Sequence, residues 1–574
     1  MTGTPLQVAA IQFEPTQFQK EDNVRQLLIL AAEAAKGGAR LIVMPEMATT
    51  GYCWRDRQEV APYVESVDGE TCQRFCALAR EHHCYLVVGM PEEDSHTGLY
   101  YNSAVLIGPA GIIGVHRKTH PYISEPKWAA NGDLGHQVFA TPIGNIALLI
   151  CMDIHFIETA RLAAVGGAQI ICHISNWLAE RTPSPYWLTR AWENGCALVE
   201  SNRWGWERTV QFSGGSCVVD SDGRLLAARD DGDGIVAATI TLTPHNVALQ
   251  KRRPELYQRL MTNTFSWNPG DFFGLYGLEP LPRGKRSAVA VAQFTPLPEP
   301  QLNLRKMREF AQAAKANGAE LVVFPEKALT GGDGSEQAIS ADHPAIAAFL
   351  QLAMELDLAL LTGWIEQEGD VYYNSALLVG TQGIIAHYRQ IHLNRADRLW
   401  ATAGERWVSA DLPCGRIGLL LGEDLLMPES GRILALEGCD VIACPASLAE
   451  PLPLAHRGTV IRHNYPIPTG ADPLHCLLPR VRAGENNVWL AFANSCDPEH
   501  GSFGISGIYG PDTFAFPRSE AKVMQTEGMA TLTIDTGDSS VPYPTHVVRR
   551  KDLVLMRQPH YYSALVVNSR HDVR

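Results

Sequence analysis

The sequence predicts an α/β fold that occurs twice in one chain. Two observations support this prediction: short β-branched runs alternate with helical stretches, and the second part of the chain repeats the order of the first. Three pairs of segments show the repeat: LQVAAIQF at 6–13 with SAVAVAQF at 287–294, LIVMPEMATTG at 41–51 with LVVFPEKALTG at 321–331, and YNSAVLI at 101–107 with YNSALLV at 373–379. A chain of 574 residues has room for two such domains.

Strands and helices are predicted to alternate along the first copy. Apolar runs bounded by Gly or Pro indicate strands, and the longer stretches between them indicate helices. The predicted strands are at 6–13, 41–45, 85–90, 101–107, 111–116, 145–151, 169–174 and 197–201, of which 101–107 and 111–116 form a pair. The predicted helices between them are at 21–37, 68–83, 157–165 and 184–195. Such apolar strands are typical of sheets covered on one or both faces. The second copy repeats this order from residue 287.

The domain boundaries follow from the repeat and from a Gly- and Pro-rich stretch between the copies. We predict a first domain at 1–263, a linker at 264–285 and a second domain at 286–574. The segments RRPELYQRL at 252–260 and RRKDLVLM at 549–556 look like matching arms at the end of each copy. An insertion in the second copy, between Ser447 and Arg482, is predicted to be a surface loop.

Composition excludes several classes of function. The formal charge of −14, without any Lys/Arg-rich run, argues against a nucleic-acid partner. Apolar runs are far shorter than the ~18 residues of a membrane span, so no membrane partner is expected. The first residues lack the basic and apolar regions of a signal peptide, and the 13 cysteines are scattered, which together favour reduced thiols and a cytoplasmic location. No metal-binding motif is present, and we expect no metal and no cofactor.

Four reactive side chains in the first copy fall at or near predicted strand ends. Cys151 follows the apolar run IALLI, and open α/β sheets place their sites at such carboxyl ends. Glu46 follows the strand at 41–45, while Lys118 and Glu125 follow the predicted strand pair. A thiol is a weak nucleophile until it loses its proton, and a nearby ammonium and carboxylate can stabilise the thiolate and accept that proton. A buried structural cysteine is the simpler alternative for Cys151 taken alone.

The second copy differs at the most reactive of these positions. Gly422 lies opposite Cys151, and Gln390 lies opposite Lys118. The carboxylates are kept, because Glu326 matches Glu46 and Asp397 stands opposite Glu125. The repeat therefore predicts one working site and one silent site.

The order of these motifs resembles the nitrilase superfamily of carbon–nitrogen hydrolases. The motifs are PE-x₃-TG, then HRK, then a Glu eight residues before an Asp that follows Gly, then C-x-D, and the resemblance covers almost the whole chain twice. It implies Cys151 as nucleophile, Glu46 as general base, Lys118 as cationic stabiliser and Glu125 as supporting carboxylate. It also implies two tandem four-layer α-β-β-α sandwich domains, packed as an intramolecular pseudo-dimer, and leaves open a higher homo-oligomer of such pseudo-dimers.

The same resemblance suggests the substrate class. Nitrile-cleaving members typically carry C-W-E, whereas the sequence here is Cys151-Met152-Asp153, as in the amidase and carbamoylase branches. We therefore expect hydrolysis of a small amide or carbamoyl compound through a Cys thioester in the first domain only. The substrate-binding residues that the resemblance suggests are Asn176, Trp177, Met152 and Tyr52. Arg190 or Arg203 could hold a substrate carboxylate. Nitrile hydrolysis, or an ammonia-supplying or regulatory module whose silent half binds a metabolite or partner, are the alternatives.

Overall fold

A computed structural model describes most of both copies. The described residues are 3–178, 182–243, 246–264, 281–448, 477–497, 502–513, 519–523, 526–537 and 547–568. The predicted linker at 264–285 and the predicted insertion between residues 447 and 482 fall mainly outside the described residues, because 265–280 and 449–476 are not among them.

The first copy contains strands and helices in the predicted order. Its strands are β1 (Thr4–Gln12), β2 (Leu41–Val43), β3 (Tyr85–Glu93), β4 (Tyr100–Gly108), β5 (Gly111–Arg117), β6 (Val138–Thr141), β7 (Gly144–Ile150), β8 (Ile170–Ser175), β9 (Ala197–Asn202), β10 (Trp204–Glu207), β11 (Val210–Ser213), β12 (Ser216–Val219), β13 (Leu225–Arg229) and β14 (Gly234–Leu242). Its α-helices are α1 (Lys20–Lys36), α2 (Arg57–Val60), α3 (Glu70–His82), α4 (Ile157–Val165) and α5 (Pro185–Asn194).

Two six-stranded sheets lie face to face in this copy, and helices cover their outer faces. One sheet has the order β14-β1-β2-β3-β4-β5, and the other has the order β13-β12-β9-β8-β7-β6. Strand β1 contacts β9 and β12 across the interface of the sheets, α1 and α3 pack on the first sheet, and α4 and α5 pack on the second. The predicted four-layer α-β-β-α sandwich is confirmed.

Helix α1 shows how the local sequence builds an outer layer. Val24, Leu27, Ala31 and Ala34 recur every three or four residues and are buried on one face of the helix against the first sheet. Acidic side chains occupy its first turn and Lys36 its last, which suits the helix dipole. Burial of this face, more than the intrinsic propensity of the residues, stabilises the helix.

The second copy repeats the arrangement. Its strands are β15 (Arg286–Gln293), β16 (Ala319–Val323), β17 (Ala359–Glu368), β18 (Val371–Gly380), β19 (Gly383–Arg389), β20 (Ser409–Leu412), β21 (Gly415–Leu419), β22 (Val441–Ala446), β23 (Trp489–Asn494), β24 (Cys496–Asp497), β25 (Ser502–Phe503), β26 (Gly507–Tyr509), β27 (Glu520–Lys522) and β28 (Gly528–Asp535). Its α-helices are α6 (Pro300–Ala316), α7 (Pro344–Leu356), α8 (Pro428–Leu436), α9 (Leu477–Asn486), α10 (Val547–Arg550) and α11 (Asp552–Leu555). The sheet orders are β19-β18-β17-β16-β15-β28 and β20-β21-β22-β23-β26-β27.

The contacts within the chain divide it into two units at a boundary that precedes the predicted one. The first unit holds the chain up to Gln250, and the second begins at Lys251. The arm at 252–260 therefore packs within the second unit, although it follows the last strand of the first copy in sequence. None of the helices in the described ranges is long and apolar enough to cross a membrane.

Candidate active site

Lys118 occupies the centre of the site in the first copy, where it contacts two carboxylates. It follows β5, and its Nζ lies 2.8 Å from Glu46 Oε1 and 2.6 Å from Glu125 Oε2. All three side chains are almost fully buried. Burial alone would lower the pKa of Lys118, but the carboxylates of Glu125 and Glu46 raise it well above its usual value. The ammonium therefore keeps its proton, and the structure brings together three residues that the sequence analysis singled out.

Asn102 ties the two carboxylates together, and it is a site residue that the sequence reasoning missed. It lies on β4, where its Nδ2 donates to Glu46 Oε1 at 2.6 Å and to Glu125 Oε1 at 2.7 Å. The Oδ1 atom of Asn102 is buried and has no hydrogen-bond partner among the described residues. The available signal was the motif YNSA, which both copies carry at the matching strand.

Cys151 begins a 3₁₀ turn directly after β7 rather than ending the strand. Its φ of +45° lies in the left-handed region, which is uncommon for a residue with a side chain. Burial raises the pKa of the Cys151 thiol well above its usual value, Glu46 adds to this rise, and the opposing effect of Lys118 is smaller. The raised pKa keeps the resting thiol protonated, so activation of Cys151 requires a group that accepts its proton, and two carboxylates lie beside the single cation.

Glu46 is fixed by the chain that follows β8. The backbone N–H of Asn176 donates to Glu46 Oε2 at 2.7 Å, and Asn176 Nδ2 donates to the same oxygen at 3.0 Å and to the Glu46 carbonyl at 2.9 Å. The remaining Oδ1 of Asn176 is buried, and no described residue donates to it. Two asparagine oxygens, on Asn102 and Asn176, are thus unsatisfied beside the carboxylates, and such buried acceptors are candidates for substrate N–H groups.

Asp153, the third residue of C-x-D, joins the Cys151 turn to the segment after Lys118. It accepts hydrogen bonds from the backbone N–H of Thr119 at 3.2 Å and of His120 at 3.0 Å, and from the backbone N–H of Ile150 at 3.1 Å. Burial opposes ionisation of Asp153, but hydrogen bonds from His116 and His120 hold its pKa well below the usual range. This carboxylate therefore joins the Cys151 turn to the segment that follows Lys118.

The other predicted substrate-binding residues, Tyr52, Trp177 and Met152, are buried in the first copy. Tyr52 donates its hydroxyl to Glu125 Oε2 at 2.8 Å, so it supports the carboxylate directly. The indole of Trp177 stacks on His155 with ring centres 4.7 Å apart and meets Trp187 edge to face at 5.3 Å. Met152 is buried next to Cys151. A substrate contact for each of these residues stays a prediction.

Arg190 and Arg203 are committed to internal contacts. Arg190 donates to the Ile154 carbonyl at 3.0 Å and to Glu193 at 2.5 Å. Arg203 pairs with Glu207 and lies over the ring of Phe212 at 4.3 Å. Both guanidinium groups are fully buried and already face a carboxylate, which argues against the suggested role in holding a substrate carboxylate.

The second copy holds a different set of groups at the matching place. Asn374 Nδ2 donates to Glu326 Oε1 at 2.6 Å and to Gln390 Oε1 at 2.8 Å, and Gly422 takes the left-handed turn with φ +50°. A cation does remain, but it comes from another position: Lys327 Nζ lies 3.0 Å from Asp397 Oδ1. Lys327 stands where the first copy has Met47. Gly422 and Gln390 thus hold the places that Cys151 and Lys118 have in the first copy, and the lysine at position 327 was not foreseen from the sequence.

Groups of three or more His, Cys, Asp or Glu side chains that could hold a metal ion are absent from the described ranges.

Each of the two copies matches the same known family. The family model for carbon-nitrogen hydrolases matches residues 7–244 and, a second time, residues 288–538. The chain belongs to the carbon-nitrogen hydrolase family. With its amidase and nitrilase relatives, this carbon-nitrogen hydrolase is an amidohydrolase that carries the family domain in tandem.

Several relatives are about as long as one copy. A nitrilase from Pyrococcus abyssi is 33% identical over 264 residues, which is 44% of this carbon-nitrogen hydrolase and 100% of the relative. The human omega-amidase is 29% identical and matches over 42% of this chain and 90% of its own length. The N-carbamoylputrescine amidase of Oryza sativa is 29% identical over 45% of this chain and 96% of its own length. Among solved structures, the amidase from Nesterenkonia sp. is 24% identical, with 44% of this chain and 96% of that chain covered and a TM-score of 0.39.

Proposed function

We propose that the first copy hydrolyses a small amide or carbamoyl compound through a thioester on Cys151, with Glu46 as general base and Lys118 as electrostatic stabiliser. One observation carries the proposal. In the first copy a buried ammonium lies between two buried carboxylates beside a cysteine turn, and in the second copy the thiol and this ammonium are both missing from the matching positions.

The acylation step uses Glu46 to activate the thiol. Because the resting Cys151 is protonated, Glu46 accepts the thiol proton as Sγ attacks the carbonyl carbon of the substrate. The two carboxylates occupy two of the three N–H groups of Lys118, and the third can donate to the developing oxyanion together with a backbone N–H beside Cys151. Collapse of the adduct breaks the C–N bond, and Glu46 returns its proton to the leaving nitrogen, which departs as ammonia or an amine.

The deacylation step uses the same groups in reverse order. Water attacks the thioester carbon while Glu46 accepts one of its protons, and Lys118 again faces the oxyanion. Collapse releases the carboxylic acid, and the proton returns to the sulfur. Glu125 keeps its position through Lys118, Asn102 and Tyr52, and its negative charge holds the lysine protonated.

The unsatisfied oxygens of Asn102 and Asn176 support an amide or carbamoyl substrate. Both are buried acceptors beside Glu46, and a substrate –NH₂ group supplies the donors that they lack. The printed activities of the omega-amidase and N-carbamoylputrescine amidase relatives fit the same class. Since another relative is a nitrilase, nitrile hydrolysis is the second candidate, although a nitrile carries no N–H for these oxygens.

The test is a panel of small primary amides, carbamoyl compounds and nitriles assayed for ammonia release. We expect release from amides or carbamoyl compounds by the parent chain and none by Cys151→Ala. The matched control is Cys444→Ala, because Cys444 is a fully buried cysteine near a strand end in the second copy. Residual activity of Cys151→Ala above a few per cent of the parent would exclude Cys151 as nucleophile, and release from nitriles alone would move the proposal to the second candidate.

A further inference from the structure

A fully buried polar cluster lies directly beneath the Cys151 turn, and the steps described above do not use it. His173 and Ser175 lie on β8, and Glu200 lies beside them on β9. His173 Nε2 is 3.0 Å from the carbonyl oxygen of Cys151, and its Nδ1 contacts Glu200 Oε2. Ser175 Oγ donates to the other oxygen of Glu200 at 2.5 Å. A chain of hydrogen bonds therefore ends on the backbone of the nucleophile.

The second copy has replaced every member of this cluster. Strand pairing matches His173 with Cys444 and Glu200 with Phe492, since His173 pairs with Glu200 in one copy and Cys444 pairs with Phe492 in the other. Ser175 is matched by Ala446. All three replacements are fully buried. The same fold thus forms with an apolar interior at this place when the turn carries no nucleophile.

Other polar groups near the turn do not follow this pattern. Asp153 and its counterpart Asp424 both accept hydrogen bonds from the residue that precedes the turn and from the loop that follows Lys118 or Gln390. Asn202 and Asn494 likewise occupy matching places with equivalent contacts to the chain around them. Groups that the fold needs are present in both copies, whereas the His173 cluster accompanies the cysteine alone.

The hydrogen-bond geometry fixes where the protons are. A carbonyl oxygen can only accept, so Nε2 of His173 carries a hydrogen. The Nδ1 atom of His173 faces Glu200 Oε2. Burial raises the pKa of Glu200, and the contacts with His173 and Ser175 oppose that rise. Burying such a pair costs free energy, so a functional role at the adjacent turn would explain why the first copy has it and the second copy has an apolar interior there.

We propose that His173 is a positioning residue for Cys151, and that Glu200 and Ser175 act through it by fixing its ring and tautomer. The bond to the Cys151 carbonyl holds a residue whose left-handed φ is unfavourable, and so it keeps Sγ in place while the acyl group is transferred. This inference rests on the proposed role of Cys151 as nucleophile.

The test compares steady-state kinetics of four variants of the full chain on the best amide of the panel. His173→Phe removes the donor, and Glu200→Leu removes the group that orients it. We expect each to lower kcat by about 10-fold or more with little change in KM, since misplacing a reacting group is costly. The double variant His173→Phe/Glu200→Leu should lose no more than the single ones, because Glu200 acts through His173.

A conservative variant separates positioning from simple loss of packing. In Glu200→Gln, the amide N–H can donate to Nδ1 and its oxygen can accept from Ser175, so most of kcat should remain. Cys444→Ser, at the matching place of the second copy, is the control and should leave kcat unchanged. Unchanged kcat in His173→Phe, multiplicative losses in the double variant, or equal losses in Glu200→Gln and Glu200→Leu would each overturn the inference. An active Cys151→Ala would instead overturn the proposed function, so the two failures are distinguishable.

Discussion

Lys118 is the buried cation on which the proposed chemistry depends. An ammonium without partners is expensive to bury, but two carboxylates within 2.8 Å compensate the charge and raise its pKa. Gln390 shows that the fold itself accepts a neutral amide at this position, where it donates to the Leu421 carbonyl at 2.9 Å. The lysine is therefore better explained by chemistry than by stability.

We predict that Lys118→Gln and Glu46→Gln each lower kcat/KM by at least ~10²-fold, the usual scale for losing an oxyanion donor or a proton-transfer group. Steady-state ammonia release measures the effect. Lys127→Gln is the matched control, because Lys127 is exposed and follows closely in sequence. A nearly silent Lys118→Gln would remove one of the two arguments that the second copy is inactive.

Glu326, which matches Glu46 in the second copy, gives this copy a pH-dependent signature. Burial raises the pKa of Glu326 to about 7, Asp397 adds to the rise, and Lys327 opposes it. Between the pKa of an unfolded glutamate and about 7, the folded chain holds a proton that the unfolded chain has released, so the free energy of unfolding falls as pH rises.

We therefore predict that the free energy of unfolding falls less steeply with pH in Glu326→Gln. The difference in slope is up to roughly 1.4 kcal/mol for each pH unit in that window, which corresponds to one bound proton. Urea-unfolding midpoints at several pH values from 4.5 to 7.5 measure it, and Glu336→Gln, at an exposed position of the same copy, is the control. The same pH slope in parent and Glu326→Gln would contradict the assignment.

At the scale of the elements, the sequence predicted what depends on strong local patterns. The strand pair at 101–107 and 111–116 was found as β4 and β5, and the helix at 157–165 matches α4. Strands after residue 202 were not predicted, because β10 to β13 have only four or five residues each and β14 pairs with β1 at the other end of the copy. Periodicity could not reveal that pairing.

The residues of the candidate site that could be predicted from the sequence are those whose side chains have a characteristic reactivity. Glu46, Lys118, Glu125 and Cys151 could be identified, because thiol, ammonium and carboxylate stand out at strand ends. Asn102 could not, since an asparagine in a strand reads as an ordinary polar residue until its two carboxylate partners are known. The relocation of a lysine to position 327 was also hidden, because only the folded chain brings it to Asp397.

The relocated lysine predicts the result of trying to restore the second site. A Cβ at Gly422 would lie 2.6 Å from Glu326 Oε2, so a cysteine there displaces that carboxylate even when Gln390 is also replaced. A lysine at 390 would also add a second ammonium to the site of Lys327. We expect Gln390→Lys/Gly422→Cys, made in a Cys151→Ala background, to release no ammonia. Release above the Cys151→Ala background would show that the silent pocket still accommodates the missing groups.

At the scale of the whole molecule, the arm at 252–260 is the feature that the repeat alone did not explain. It belongs to the second unit, where Tyr257 and Leu260 are fully buried. The Tyr257 hydroxyl lies 2.8 Å from His392 Nε2, and Trp407 Nε1 donates to the Leu256 carbonyl at 2.9 Å. Burying two such side chains contributes on the order of 3–6 kcal/mol. A domain boundary at 263 would cut the chain after residues that need the second unit.

Because the arm at 252–260 packs within the second unit, separating the two copies should affect the first one. We expect a fragment of residues 1–263 to be less soluble and less active than the full chain, because its Tyr257 and Leu260 would lack their partners. A fragment of residues 1–250 is the matched comparison and should be more soluble, since it omits the arm. Co-expression of 1–263 with 264–574 should restore ammonia release if the second copy supports the first. A fragment 1–263 that is soluble, monomeric and as active as the full chain would show that the second copy has another purpose, such as binding a metabolite.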